Sequence, residues 1–395
     1  MKLRLVYAFA VLAILGPTAR AAIVFDEVAP LFTRVDGTVI VPAELSGRLF
    51  FVQAMINGHG PFRLVVDTGC SFSLVSPEVA EAVGARVGLV TDSERIAVNS
   101  FGHPADVPRV LLDSIQLGAA RFEGVYAGVS DTFATLSRTS RQHVDGALGY
   151  SLFSELVLTL DFPARRVVLS HTRPTDLPPV QAELALTAPD DVPLVTGQLQ
   201  GQSLELEIDS GATDSLQIPF ELANALNWRY EPRPGSLVAA VGENTRVLVG
   251  RLNGPLCVGA VQLAEPIALL TGGKASLGIG FLQHFCVVFD PAQGRLWLCA
   301  ADPGPARAAP LHSVGLSLEA ETAGWRVIGV IPGSPAEGSG VSAGDLVTRI
   351  EGRPAVQWSR DQLDHWIDTR STVALQVFGG SSPRDLVLRV WSLVP

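Results

Sequence analysis

The sequence has few of the residues that build metal sites or activated nucleophiles. Its 395 residues include seven His and four Cys, with no His-Glu-x-x-His or Cys-x-x-Cys spacing, the patterns that bring zinc ligands together. Gly149-Tyr150-Ser151 begins like a nucleophile elbow, but Phe153 stands where that motif needs glycine. We therefore expect no metal, no organic cofactor and no serine nucleophile.

Positive charge and long apolar runs are also scarce. The formal net charge of −10 leaves too few basic residues for a phosphate-binding face, which argues against nucleic acid as a partner. The longest uncharged apolar run, Leu5 to Leu15, is about half the ~20 residues of a membrane-spanning helix. It follows Lys2 and Arg4 and precedes Ala19-Arg20-Ala21, which is typical of a secretory signal peptide. We predict export to the periplasm or cell exterior, with no stable membrane anchor after the signal is removed.

Apolar residues, glycine and proline are abundant. The chain is 47% hydrophobic and contains 38 Gly and 27 Pro, a composition typical of a folded, turn-rich protein. At this length more than one domain is expected. We predict a mainly β fold.

An internal repeat organises the first 300 residues. Segments 60–84 and 201–226 each read as a strand, a tight Asp-hydroxyl-Gly loop, a second strand and a helix that opens with proline. Asp67 and Asp209 are 142 positions apart, as are Pro77 and Pro219. The two halves are therefore expected to share a local structure.

A second pair of matching segments lies downstream, at 146–169 and 275–298. There the shift falls to 129, so the first half holds about thirteen extra residues. They fall in the polar stretch 130–145, which we interpret as a surface loop.

These residues resemble the pepsin and retropepsin superfamily of aspartic proteases over about residues 40–300. The resemblance implies two lobes related by a pseudo-twofold axis, each contributing one catalytic aspartate, Asp67 and Asp209. It also implies supporting roles for the neighbouring loop residues, which are Thr68, Gly69, Ser210 and Gly211. In the same family, Ala147-Leu148-Gly149 and Ser276-Leu277-Gly278 would brace the two loops.

Two adjacent carboxyl groups suit peptide hydrolysis. Without a metal or a side-chain nucleophile, the reaction needs a base to deprotonate water and an acid to bond the scissile carbonyl. Carboxylates about 3 Å apart cannot both ionise, so they share one proton and supply both roles. Two alternatives remain: aspartates that only cap turns, or an exported peptide-binding or scaffold protein that keeps the fold without the activity.

Each half also carries an alternating hairpin that could cover a substrate. The first runs from Arg95 to Val110 and the second from Leu237 to Val249. The candidate flap residues at their turns are Phe101, Gly102, His103, Gly242 and Glu243.

One disulfide is predicted from spacing. Cys286 and Cys299 are equidistant from the turn at 291–294, so they can face each other across two antiparallel strands. Two reduced, buried thiols are the alternative. Cys70, beside the first aspartate loop, is interpreted as a packing residue, and its pairing with Cys257 stays open.

The C-terminal segment resembles the PDZ domains attached to bacterial proteases, on the Ser-Pro-Ala and Gly-Asp elements within 324–355. The resemblance implies binding of peptide C-termini through the loop Val314-Gly315-Leu316-Ser317, with a helix opening near Ser359 as the other groove wall. A spacer docked on the lobes is the alternative. The domain plan is 1–21 signal peptide, 22–175 lobe 1, 176–300 lobe 2, 301–310 linker and 311–395 PDZ-like α+β domain.

Overall fold

The structure is a computed structural model that describes residues 32–87, 95–100, 103–239, 244–302, 306–380 and 382–395. The predicted signal peptide, 1–21, lies outside these residues. So do four of the five flap positions, Phe101, Gly102, Gly242 and Glu243.

The first half of the chain, up to Ser170, folds mainly into strands. Its strands are β1 Phe32–Arg34, β2 Val39–Ser46, β3 Leu49–Ile56, β4 His59–Asp67, β5 Ser73–Val75, β6 Arg86–Val87, β7 Arg95–Ser100, β8 His103–Leu117, β9 Ala120–Val129, β10 Gly146–Gly149, β11 Val157–Asp161 and β12 Arg166–Ser170. Its helices are α1 Pro77–Ala82 and α2 Thr132–Ser140, with a 3-10 turn at Tyr150–Phe153. Ser76 caps α1 by accepting the Val79 N–H, and Pro77 occupies the first turn, as the repeat predicts.

Around its aspartate loop, the second half repeats the order of strand, loop, strand and helix. Its strands are β13 Val180–Ala185, β14 Leu194–Leu199, β15 Gln202–Ile208, β16 Leu216–Pro219, β17 Trp228–Ala239, β18 Asn244–Leu252, β19 Leu256–Val258, β20 Val261–Ala264, β21 Ile267–Thr271, β22 Ser276–Leu277, β23 Cys286–Asp290 and β24 Arg295–Cys299. Short helices α3 Phe220–Ala223 and α4 Ile279–Leu282 and a 3-10 turn at Pro189–Asp191 complete it.

The two halves are joined by hydrogen-bonded strands. β11 pairs with β23, within a continuous order of strands β13-β24-β23-β11-β12-β2 in which three strands of the second half are followed by three of the first. A single hydrophobic core runs through both, with fully buried residues such as Phe50 and Phe281. This shared sheet and core hold the halves in a fixed relation, because separating them would expose buried apolar surface.

The stretch predicted as a surface loop, 130–145, contains helix α2, so that prediction was wrong. Phe133 of α2 is buried against Leu74 and Val107, and Leu136 packs beside it. Residues three apart lie on one helix face, so a mostly polar segment can still bury an apolar stripe. The thirteen extra residues therefore form a packed element of lobe 1.

The C-terminal part has its own sheet and core. Its elements are β25 Ala306–Arg307, β26 Leu311–Ser313, β27 Leu316–Glu321, β28 Gly324–Val330, α5 Pro335–Gly338, β29 Leu346–Ile350, β30 Arg353–Pro354, a 3-10 turn at Ala355–Gln357, α6 Arg360–Thr369, β31 Thr372–Phe378, β32 Pro383–Arg389 and β33 Trp391–Val394. The fully buried Trp325 lies in a core of its own beneath α6. α6 starts at a capping box between Ser359 and Gln362.

Cys286 and Cys299 lie opposite each other in β23 and β24, as their spacing predicts. Both are free thiols, so the predicted disulfide is not formed. They pack with Val157, Val288 and Trp297 in a small buried cluster, where a thiol behaves as a small apolar side chain. Facing positions alone do not make a disulfide, because the bond also needs a specific side-chain geometry.

Candidate active site

The two Asp-hydroxyl-Gly loops meet where the halves face each other. Asp67 ends β4, and Asp209 follows β15 directly. Strand β10 runs parallel to β4, with Gly149 opposite Asp67, and β22 runs parallel to β15. The Asp209 N–H donates to the Leu277 carbonyl at 2.9 Å. The two Leu-Gly elements therefore brace the aspartate loops from behind.

Thr68 and Ser210 join the loops by reciprocal hydrogen bonds. The Thr68 N–H donates to Ser210 Oγ, and the Ser210 N–H donates to Thr68 Oγ1, each at 3.0 Å. Ser210 Oγ also donates to the Val66 carbonyl at 2.7 Å, and Thr68 Oγ1 donates to the Ile208 carbonyl. Both side chains are fully buried, so water does not compete for these bonds. They fix the distance between the two aspartates.

Gly69 and Gly211 allow the carboxyl groups to approach each other. A Cβ built on Gly69 would lie 2.4 Å from Cγ of Asp209, and one on Gly211 would lie 2.4 Å from Cγ of Asp67. No side chain fits in that space. Each glycine therefore lies against the aspartate of the opposite loop, and the Asp67 and Asp209 side chains are hydrogen-bonded to each other.

Burial raises the pKa of both carboxyl groups, and each group also affects the pKa of the other. Burial raises the pKa of Asp67 to about 6, against the lowering effect of the Gly69 N–H. Burial and then the charge of Asp67 raise the pKa of Asp209 well above its ordinary value. The Gly211 and Ala212 N–H groups donate to Asp209 Oδ1 at 2.8 and 3.0 Å. The pair therefore holds a proton under conditions where isolated aspartates have lost theirs.

Two acidic residues near the pair were missed by the sequence analysis. Glu207 forms an ion pair with Lys274 at 3.3 Å, and its charge raises the pKa of both Asp67 and Asp209. Burial raises the pKa of Asp214 to about 6, and its Oδ2 accepts a bond from Gln217 Nε2. Strand alternation could have indicated Glu207, because it lies two residues before Asp209.

The predicted hairpins are present as strand pairs. In β7–β8, Ser100 pairs with His103, the flap candidate that begins β8; in β17–β18, Ala239 pairs with Asn244. The second hairpin packs into a cluster with the C-terminal part, in which Val247 and Val249 contact the buried Ile331 and Leu393.

The predicted carboxylate loop, Val314-Gly315-Leu316-Ser317, is buried in this structure. Gly315 has a φ of +94°, and its carbonyl accepts the Ile331 N–H at 2.8 Å. Ser317 Oγ accepts the N–H of Leu237 in the second hairpin at 2.9 Å. Leu316 and Ser317 of the predicted loop already belong to strand β27, which is an edge strand of its sheet.

The described ranges contain no group of three or more His, Cys, Asp or Glu arranged to hold a metal ion. Within the same ranges, no helix combines the length and the apolar character that crossing a membrane requires.

Comparison with known proteins identifies two parts of the chain. Residues 52–152 match the family model for aspartyl proteases. Residues 306–378 match the PDZ domain model. The protein thus combines an aspartic protease-like part with a PDZ domain in a mainly β fold, which confirms both resemblances and the predicted fold class.

Solved structures were also compared with this chain. A retropepsin-like aspartic protease from Rickettsia conorii is 19% identical, covering 36% of this chain and 94% of its own, with a TM-score of 0.24. The HtrA3 PDZ domain bound to a phage-derived ligand is 19% identical, covering 21% of this chain and 88% of its own, with a TM-score of 0.20. No curated protein matches the sequence.

Proposed function

We propose that the protein is an aspartic endopeptidase in which Asp67 and Asp209 activate water for peptide-bond hydrolysis. The observation that carries this proposal is the reciprocal packing of the two loops. It sets the two carboxyl groups in hydrogen-bond contact and raises both pKa values. Aspartates that only cap turns would each bond to their own loop, and capping does not require hydrogen bonds between the loops of two lobes.

The chemistry follows from a pair that holds one proton. The ionised carboxylate takes a proton from a water molecule bound between the two groups, and the oxygen of that water attacks the scissile carbonyl carbon. The protonated carboxyl donates its hydrogen to the carbonyl oxygen, giving a neutral tetrahedral diol. As the diol collapses, the C–N bond breaks, one carboxyl delivers a proton to the leaving nitrogen, and a diol hydroxyl returns a proton to the pair as the product carbonyl forms. The pair then again holds one proton.

Export and peptide binding complete the proposal. The signal-like N-terminal sequence supports export of the enzyme to the periplasm or the cell exterior. The PDZ domain binds the C-termini of peptides or protein substrates, because main-chain bonds to an edge strand accept many sequences.

The decisive experiment compares Asp67→Asn and Asp209→Asn with the parent on a mixed peptide library, with product sequencing across pH. Each variant should lose at least about a thousandfold in kcat/KM, and the double variant should lose little more, since the two groups act as one unit. Asp176→Asn, which changes an exposed aspartate, is the control. Full activity in either single variant overturns the assignment. Peptide binding without cleavage by the parent supports the non-catalytic peptide-binding alternative.

A further inference from the structure

The two lobes present different walls beside the aspartate pair. In lobe 1, Val65 lies two residues before Asp67 and is buried in a cluster with Ala147 and Phe133 of α2. In lobe 2, the equivalent position is Glu207, and the equivalent of Ala147 is Ser276. Lobe 2 has no inserted helix between its hairpin and β22 among the described residues. The face that α2 covers in lobe 1 is therefore open in lobe 2.

A cavity of about 330 Å³ occupies this open face. Its volume is at the lower end of the range of about 300–1,000 Å³ typical of ligand sites. The lining residues are Leu194, Ser203, Leu204, Glu205, Glu207, Pro219, Lys274 and Ala275. Residues 205, 207 and 209 alternate onto one face, so Glu207 is the lining residue nearest Asp209 along the strand, and its charge raises the pKa of Asp209.

The cavity wall carries the Glu207–Lys274 ion pair, and one buried hydroxyl next in the chain to the lining residue Ala275 has no hydrogen-bond partner among the described residues. Lys274, which pairs with Glu207, is 61% exposed, whereas the Glu207 side chain is only 17% exposed. The Glu207 carboxylate is thus held at the cavity wall. The exposed Lys274 amine can break the ion pair and be hydrated at little cost in free energy. Ser276, in register with Glu207 on β22, is 2% exposed, and its Oγ has no hydrogen-bond partner within the described structure. Buried polar atoms of this kind normally have partners.

We propose that this cavity is a substrate side-chain subsite in which Glu207, assisted by Glu205, selects a lysine or arginine next to the scissile bond. The inference rests on the proposed proteolytic function. The lining has two carboxylates and one amine, so it favours a cation over an anion. A substrate amine or guanidinium would replace Lys274 on Glu207.

The test uses the full-length protein and peptides that differ only at the residue on one side of the cleaved bond. The parent should cleave lysine and arginine peptides about fivefold to tenfold faster, by kcat/KM, than the leucine peptide. Glu207→Gln should reduce this ratio to near one. Glu207→Val, which installs the residue of lobe 1, should favour leucine. Lys274→Ala should increase the preference for lysine, because it removes the competing amine.

The ratio of two substrates on one preparation is independent of how much of the protein is folded. Glu183→Gln changes a half-exposed glutamate that pairs with Arg295 elsewhere in lobe 2, and it should keep the parental ratio. A parent that cleaves peptides with a ratio unaffected by Glu207→Gln overturns the subsite and leaves the proposed protease intact. A folded parent that cleaves none of the peptides overturns both.

Discussion

At the scale of single residues, the site depends on close contacts that only small or hydroxyl side chains permit. Gly69 and Gly211 leave no space for a Cβ, and Thr68 and Ser210 satisfy the backbone of the opposite loop. Cys70, interpreted from sequence as a packing residue, lies beside the pair, and burial raises the pKa of its thiol far above the ordinary value. It stays protonated and is therefore a poor nucleophile.

The raised carboxyl pKa values predict how activity depends on pH. Below about pH 6 both carboxyls are protonated and no base is present, so kcat/KM should fall as the pH is lowered through 6. It should fall again at higher pH, where the pair loses its second proton. A pH–rate profile measured between pH 3 and 9 checks this. An optimum near pH 3 would contradict the burial argument.

The same shift predicts a change in stability. Burial in the folded protein raises the pKa of Asp67 from 3.8 to about 6. Between about pH 4 and 6 the unfolded chain has therefore lost a proton that the folded chain keeps. The free energy of unfolding should therefore fall as pH rises across that window. Asp67→Asn should reduce the slope, as measured by urea denaturation at each pH. An unchanged slope would contradict the shift.

At the scale of elements, α2 is what makes the lobes unequal. Its inner face fills lobe 1 through Phe133 and Leu136, and its other side lies alongside β27 of the PDZ domain. Arg138 of α2 forms an ion pair with Glu319 of β27 at 3.5 Å. One insertion of about thirteen residues thus closes an apolar cluster and supplies a docking surface.

Shortening the buried side chain of α2 should be costly. Phe133→Ala should lower the free energy of unfolding by about 3–5 kcal/mol, because it leaves a cavity in a packed cluster. Ala134→Gln, at an exposed position of the same helix, should change it by less than about 0.5 kcal/mol. Chemical denaturation of the two variants tests this. Equal small effects would mean that α2 does not pack as described.

At the scale of the whole molecule, the PDZ domain is docked on both lobes. Glu319 contacts Arg138 of lobe 1 and accepts a bond from Asn244 of the second hairpin at 3.2 Å. Asp361, in the first turn of α6, accepts the Gly47 N–H from lobe 1. The helix α6, predicted as one wall of a peptide groove, and β27, which begins within the predicted carboxylate loop, are therefore both in contact with the aspartic protease-like part.

Weakening this docking should expose the groove. The double variant Arg138→Ala/Asn244→Ala removes both partners of Glu319 and leaves the PDZ domain unchanged. It should bind a peptide with a free C-terminal carboxylate about threefold to tenfold more tightly than the parent, by fluorescence anisotropy on the full-length protein. Amidating the peptide should weaken binding.

Arg121→Ala, at an exposed lobe 1 ion pair with Glu123, is the matched control and should bind like the parent. Equal affinity of the double variant and the parent would show that docking does not limit access to the groove. Absence of binding in both would favour the docked-spacer alternative.

The sequence by itself determined the two-lobed plan, the aspartate loops and their hydroxyl and glycine neighbours, because local patterns repeated at fixed shifts reveal equivalent strands and turns. Only the tertiary structure decided that α2 is a packed helix, that Cys286 and Cys299 are free thiols and that Glu207 faces an open cavity. These features depend on contacts between residues distant in sequence. Burial, pairing and access are properties of such contacts, and no local pattern encodes them.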